Sequence, residues 1–193
     1  PALRALALMR FWPLDGLGGQ ARASMRALIL TDLGFIVRHW REPCFDIWEE
    51  ESGHHYYTRL VHHAALADGA QWLAETGTDE TARTQAFRAA AQEIAKSLDE
   101  YWCPAKGFYA SRRGVANGVA GKELDFATIL AVIHAARAKG AHSVLDPRVM
   151  ATLARLEELF DASYAINGHR PETRGPAMGR YAGDRYFLSL IHI

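Results

Sequence analysis

FDIWEEESGHHYY, residues 45–57, sets an aspartate, a tryptophan and three consecutive glutamates just ahead of two histidines and two tyrosines. The stretch interrupts two long runs of helical period. Before it, Met25, Ile29, Leu33, Ile36 and Trp40 recur every three or four residues, predicting a helix from about Ala21 to Trp40. After it, helix is predicted from about His54 to Glu75, with Tyr57, Val61, Ala64, Ala65 and Trp72 available for burial.

Outward from there the same period continues. Leu3, Leu6 and Met9 begin a short stripe that stops at Pro13. Thr78 and Asp79 offer caps for a helix carrying Phe87, Ala90, Ile94, Leu98 and Tyr101, which ends before Pro104. Residues 105–121 are rich in glycine and polar groups and read as a long loop. Asp125 can cap a helix carrying Phe126, Ile129, Leu130 and Ile133 as far as Gly140. Asp146-Pro147 pairs a cap with proline at the first helical position, and Val149, Leu153, Leu156 and Phe160 mark the buried face that follows. Residues 167–185 read as loop. No run alternates like a strand. The class is therefore all-α, six helices with alternating short and long connections, which suggests an α-hairpin array, toroid or solenoid. The lack of a fixed-period repeat disfavours the solenoid.

The 193 residues suffice for one domain with a core. Lys plus Arg number 22 and Asp plus Glu number 22, a balance that argues against nucleic acid or an anionic membrane as the main partner. No apolar run approaches a transmembrane length. Cys44 and Cys103 cannot define a disulfide framework and are expected to be free, packed thiols. His54, His55, His62 and His63 fall on one predicted helix, but their spacing brings no pair to one metal ion with a third ligand, so no metal is expected. His134 lies on an apolar face and is expected to be a core histidine with a partner. Trp12, Trp40, Trp72 and Trp102 are expected in the core or at interfaces.

Four motifs stand in a fixed order: PALRALALM (1–9), FDIWEE (45–50), GKELDFATILAVIH (121–134) and GRYAGD (179–184). In this order they resemble the glucoamylases, family 15 of the glycoside hydrolases, over essentially the whole chain up to Phe187. WEE is the most specific piece. The resemblance implies an (α/α)6 toroid, six inner helices within six outer ones, of which six helices form about half. The expected domain is thus a partial glucoamylase-like catalytic domain over residues 1–187. Leu188 to Ile193 (LSLIHI) departs from the family, reads like a translated transposon sequencing adapter, and is expected to be non-native. The proline-glutamate pair usual after GRY is Ala182-Gly183 here.

The implied activity is an inverting, exo-acting glucan 1,4-α-glucosidase that releases glucose from starch-like oligosaccharides without a cofactor. Dextran or trehalose hydrolysis, or a non-catalytic α-hairpin binding module, are the alternatives. Such hydrolysis needs a proton donor to the departing oxygen and a second carboxylate that activates water. The resemblance makes Glu49 the acid. It gives sugar hydroxyls to Glu50, Arg180 and the backbone around Ile47, a wall of the pocket to Trp48, and support to Asp46 and Asp184. The general base is expected outside this chain, so the segment alone is expected to be inactive. The implied partner is an α-glucan or malto-oligosaccharide, the full-length form a monomer, the location secreted or periplasmic. From the residues alone, Glu49 to Glu51 read as solvated charges at the positive end of the following helix; the tryptophan and the other matched motifs reverse that reading for Glu49 and Glu50, and it is kept for Glu51. Asp125 is read as structural, a helix cap.

Overall fold

The computed structural model describes residues 1–76, 81–115, 118–171 and 173–184. The expected caps Thr78 and Asp79 and the tail Leu188–Ile193 lie outside these. Six α-helices occur among the described residues: α1 (Ala2–Phe11), α2 (Gly19–His39), α3 (Tyr56–Glu75), α4 (Thr81–Leu98), α5 (Ala127–Ala135) and α6 (Pro147–Ser163). The all-α expectation holds. None of these helices is long and apolar enough to cross a membrane.

The packing alternates. α1 lies on α3 and α3 on α5, while α1 is backed by α2 and α3 by α4. Odd helices thus form an inner layer and α2 and α4 an outer one. α3 is buried around much of its circumference, with Tyr56, Leu60, Val61, Ala64, Ala65, Leu66, Gly69, Ala70, Trp72 and Leu73 all inside, the signature of an interior helix. Its run of alanine and glycine lets neighbours come close. α4 is amphipathic and turns Phe87, Ala90, Ala91, Ile94 and Leu98 toward α3. Trp40 and Trp72 are buried, and Trp12 and Trp102 pack partly buried against the core.

The connections carry structure that the sequence pattern did not announce. β1 (Cys44–Phe45) pairs antiparallel with β2 (Ser52–His55), which pairs with β5 (Arg112–Arg113); β3 (Trp102–Cys103) pairs with β4 (Phe108–Tyr109). His54 and His55 therefore belong to a strand, not to the helix expected there, and the expected loop 105–121 contains two strand segments. These strands are two to four residues long, too short to show a period, and cross-chain bonds hold them. α5 ends at Ala136, not at Gly140, because Ala136 turns left-handed at φ 54°. The cap at Asp146 forms as expected: its carboxylate accepts from the Arg148 amide, with Pro147 at the first helical position.

Tyr56 starts α3 inside an aromatic cluster. It stacks on Tyr109 at 5.0 Å, meets Tyr101 edge-on at 5.7 Å, and its hydroxyl bonds His142 Nδ1 at 2.9 Å. His134 bonds the Tyr57 hydroxyl at 2.7 Å, the partner expected for it. Both cysteines are free.

The connections α2–α3 (40–55) and α4–α5 (99–126) both lead from an outer helix to the start of an inner one, so they lie at the same end of the layers. The segment after α6 joins them there: Asp125 bridges Tyr181, and the Phe126 amide donates to the Arg180 carbonyl at 2.8 Å. Three motifs far apart in the sequence thereby meet.

Two helix glycines should respond oppositely to alanine. At Gly34 in α2 a Cβ meets only the Arg38 side chain at 3.4 Å, so Gly34→Ala should stabilise by about 0.5–1 kcal/mol. At Gly69 in α3 a Cβ would lie 2.3 Å from the Leu33 side chain, which is fully buried. Overpacking outweighs propensity there, and Gly69→Ala should destabilise by about 1–3 kcal/mol. Urea unfolding of both variants checks the contrast.

Candidate active site

Asp46 organises the loop that follows β1. Its Oδ1 accepts from the amides of Glu50 (2.8 Å) and Glu51 (3.1 Å), its carbonyl accepts from the Glu49 amide, and its own amide donates to the Glu51 carbonyl. Four main-chain groups are satisfied by one residue, as in the side-chain turns that aspartate favours. Ile47 and Trp48 form the turn, both half-buried. Glu49 then takes φ 59°, a left-handed conformation that costs a non-glycine residue on the order of 1–2 kcal/mol. Its side chain is exposed and makes no hydrogen bond with another described residue.

Lys122 lies at the centre of the cluster. It is 1% exposed, with its ammonium 2.6 Å from Asp46 Oδ2 and 2.5 Å from Glu50 Oε2, and 5.0 Å from the centre of the Tyr181 ring. Its carbonyl accepts from the Ser111 hydroxyl at 2.5 Å, which fixes its backbone. Glu50 also accepts from the Tyr181 hydroxyl at 2.7 Å and pairs with Arg180 Nη1 at 2.7 Å. Arg180 turns its other edge to Asp184 in a bidentate pair, 2.7 Å and 2.5 Å, and lies 5.4 Å from the centre of the Trp48 ring. The Trp48 indole N–H donates to both oxygens of Asp125, at 3.1 and 3.0 Å.

Six of the residues singled out in the sequence, Asp46, Trp48, Glu49, Glu50, Arg180 and Asp184, thus fall on two adjoining segments, with Ile47 in the turn between Asp46 and Trp48. Lys122, Tyr181 and Asp125 complete the cluster without having been singled out for it. Glu51 corrects an expectation. It is buried, pairs with Arg112 of β5, and accepts from the Val119 amide at 3.1 Å. The acidic run precedes a strand rather than a helix start, so the helix dipole does not account for it. A cavity of about 310 Å³ lies elsewhere, lined by Trp40, His54, His55, Arg59 and His62 among others and by none of residues 46–51.

Electrostatics divide the carboxyls. Burial pushes Asp46 up, but Lys122 and the two loop amides outweigh it and hold the group below the usual carboxylate range. Burial also raises Glu50, and Lys122, the Tyr181 hydroxyl and Arg180 bring it below that range. Both therefore stay ionised at neutral pH. Asp125 goes the other way. Burial drives it up to about 6 against the pull of the Ala127 and Trp48 N–H groups and of Lys122, and the charge of Asp46 adds to the rise. Asp184 raises Arg180 further above its already high value.

The raised Asp125 sets a pH dependence. Between about pH 4 and 6 the folded chain holds a proton there that the unfolded chain has released, so this group's contribution to stability falls as pH rises through that window, by on the order of 3 kcal/mol. Asp46 and Glu50 act in the opposite sense at lower pH, where protonation removes their ion pairs. Asp125→Asn should abolish the decline between pH 4 and 6, so the variant gains stability relative to the parent as pH rises. Unfolding midpoints of both proteins from pH 4 to 7 check this.

Comparison with known proteins follows the same lines. The family model of Glycosyl hydrolases family 15 matches residues 1–189. Glucoamylase 1 of Rhizopus oryzae is 30% identical over 163 residues, covering 84% of this chain and 27% of that protein. Glucoamylase P of Amorphotheca resinae is 34% identical over 195 residues, covering 96% and 30%. The solved family 15 glucoamylase from Hypocrea jecorina superposes with a TM-score of 0.81 at 25% identity, over 97% of this chain and 32% of that one. The chain thus spans about a third of the length of these relatives, and its layered helices correspond to part of their (α/α)6 fold. With its helices, its three converging loops and nearly every residue matched, the chain belongs to glycosyl hydrolases family 15.

Proposed function

We propose that this segment supplies the acid side of the active site of an inverting, exo-acting glucoamylase, which cleaves terminal α-glucosidic bonds of starch-like oligosaccharides. The observation that carries the reading is the convergence of Glu50, Arg180 and Trp48 around the loop that presents Glu49, within a chain whose relatives are named glucoamylases.

Glu49 gives its proton to the oxygen between two glucose units as that bond breaks. Its carboxyl is unencumbered by other described groups, as a donor to substrate must be. Glu50, ionised and held by Lys122, accepts from sugar hydroxyls. Arg180 donates to them from a plane fixed by Asp184. The main chain at Ile47 contributes a further polar contact, and Trp48 forms the apolar wall. Asp46 and Asp184 support the loop and the guanidinium. The water that attacks the opposite face is activated by a second carboxylate, roughly 6.5–9.5 Å from the first in inverting enzymes. We place that base outside these 193 residues, so that the segment alone does not turn over.

Glu49→Gln keeps shape and removes the proton. In the complete enzyme it should lower kcat for maltose by about 10²–10⁴-fold with little change in KM, and the parent should release glucose as the inverted anomer, seen by NMR in the first minutes. The isolated segment should release none. Isomalto-oligosaccharides and trehalose in the same assay decide the linkage. Near-parent activity in Glu49→Gln removes Glu49 from the acid role.

A further inference from the structure

Asp125 does more than a helix cap requires. A cap needs one acceptor for one orphan amide, and serine or asparagine supplies it as well as aspartate. Asp125 Oδ1 meets that need at the Ala127 amide, 2.7 Å. Both of its oxygens nevertheless face the Trp48 indole N–H at 3.0–3.1 Å. The residue is 1% exposed and makes no ion pair among the described residues. Burying an anion whose direct partners are two N–H groups is costly, and a neutral cap would avoid that cost.

The indole it holds is a structural link. One ring of Trp48 is anchored to Asp125 and bears the Arg180 guanidinium, which pairs with Glu50. The main chain of Asp125 also bridges Tyr181, and the next amide, that of Phe126, donates to the Arg180 carbonyl. Asp125 therefore touches the Glu49 loop through its side chain and the Arg180 loop through its backbone. Glu49 has no side-chain partner among the described residues, so its aim is set by its backbone, and Trp48 is the adjacent residue in the chain.

We propose that Asp125 is a positioning residue of the active site, which fixes the Trp48 indole and through it the register of Glu49 and Glu50 with Arg180. The proposal rests on the glucoamylase reading given above. An asparagine at 125 can still cap Ala127 through its oxygen, but it replaces Oδ2, 3.0 Å from the indole N–H, with an NH2 group that cannot accept. The helix is kept and the clamp on Trp48 is weakened.

A double-mutant cycle in the complete enzyme tests this, with Asp125→Asn, Trp48→Phe and the double variant measured for kcat/KM on maltose and for unfolding midpoint. Phenylalanine keeps an apolar ring and removes the N–H. We expect Asp125→Asn to lose at least about tenfold in kcat/KM without losing midpoint at pH 7, and the double variant to be no worse than Trp48→Phe alone. A loss that multiplies in full onto that of Trp48→Phe, a change in midpoint with kcat/KM intact, or no change at all overturns the proposal. If Asp125→Asn does not accumulate folded, Trp48→Phe decides, since it leaves the cap untouched: kcat/KM equal to the parent overturns the proposal, and a loss of tenfold or more supports it. Glu49→Gln measured alongside separates the two levels: an active Glu49→Gln enzyme sinks the glucoamylase reading itself, whereas an inactive one leaves the cycle to judge Asp125.

Discussion

A single ammonium group, that of Lys122, sits between Asp46 and Glu50 with almost no access to water. Much of the site hangs from it. Asp46 is the residue around which the loop before β2 is wound, and Glu50 is the acceptor that Tyr181 and Arg180 both reach. Moving Lys122 and Asp46 out of water is expensive, and the attraction between them roughly offsets the cost, so a buried pair of this kind adds little net stability. What it determines is which atoms meet. With Lys122 in place, the charges run Asp46, Lys122, Glu50, Arg180, Asp184, alternating in sign along a chain that links three motifs. Removing any interior member leaves like charges facing each other.

The helices were legible because burial of one face imposes a 3.6-residue period. The stripe Met25, Ile29, Leu33, Ile36 lies in α2, and Phe87, Ala90, Ile94, Leu98 is buried in α4. The failures have a common cause. His54 and His55 pair with Arg113 and Arg112 nearly sixty residues on, and strands this short are dictated by their partner rather than by their own composition. The early stop of α5 at an alanine in the left-handed region carries no glycine or proline to announce it.

The site was legible in a different way. Asp46, Trp48, Glu49, Glu50, Arg180 and Asp184 stood out through the resemblance of whole motifs, while isolated inspection favoured solvated charges. Arg180 and Asp184 meet in a bidentate pair that the sequence analysis described only as support from Asp184. Lys122 and Tyr181 belong to the same motifs and were overlooked, since a lysine in a glycine-flanked loop gives no hint that it will be sealed from water. Glu51 was misread for want of its partner: Arg112 reaches it from another connection, and Gly118, where a Cβ would come within 2.8 Å of that guanidinium, clears the space. Asp125 was read correctly as a cap and incompletely, because the indole that occupies its second oxygen lies 77 residues away. Long-range polar pairs of this sort have no periodicity to betray them.

The seam between the GKELDF and GRYAGD segments is sewn with peptide groups: Phe126 to Arg180, Asp125 alongside Tyr181, and Gly121 at φ 78° with the Ala182 carbonyl 2.8 Å from where a Cβ would stand. Peptide groups are common to all twenty residues, so the side chain at 182 is released from holding the seam, whereas Gly183 turns at φ 72°. Ala182-Gly183 in place of a bulkier, charged pair can then reshape the rim without unpicking the stitches. Gly121, by contrast, is the needle's eye: any side chain there would wedge the two segments apart. Variation in this part of the molecule should therefore gather at the crest of the second loop and stop short of the glycine beneath it.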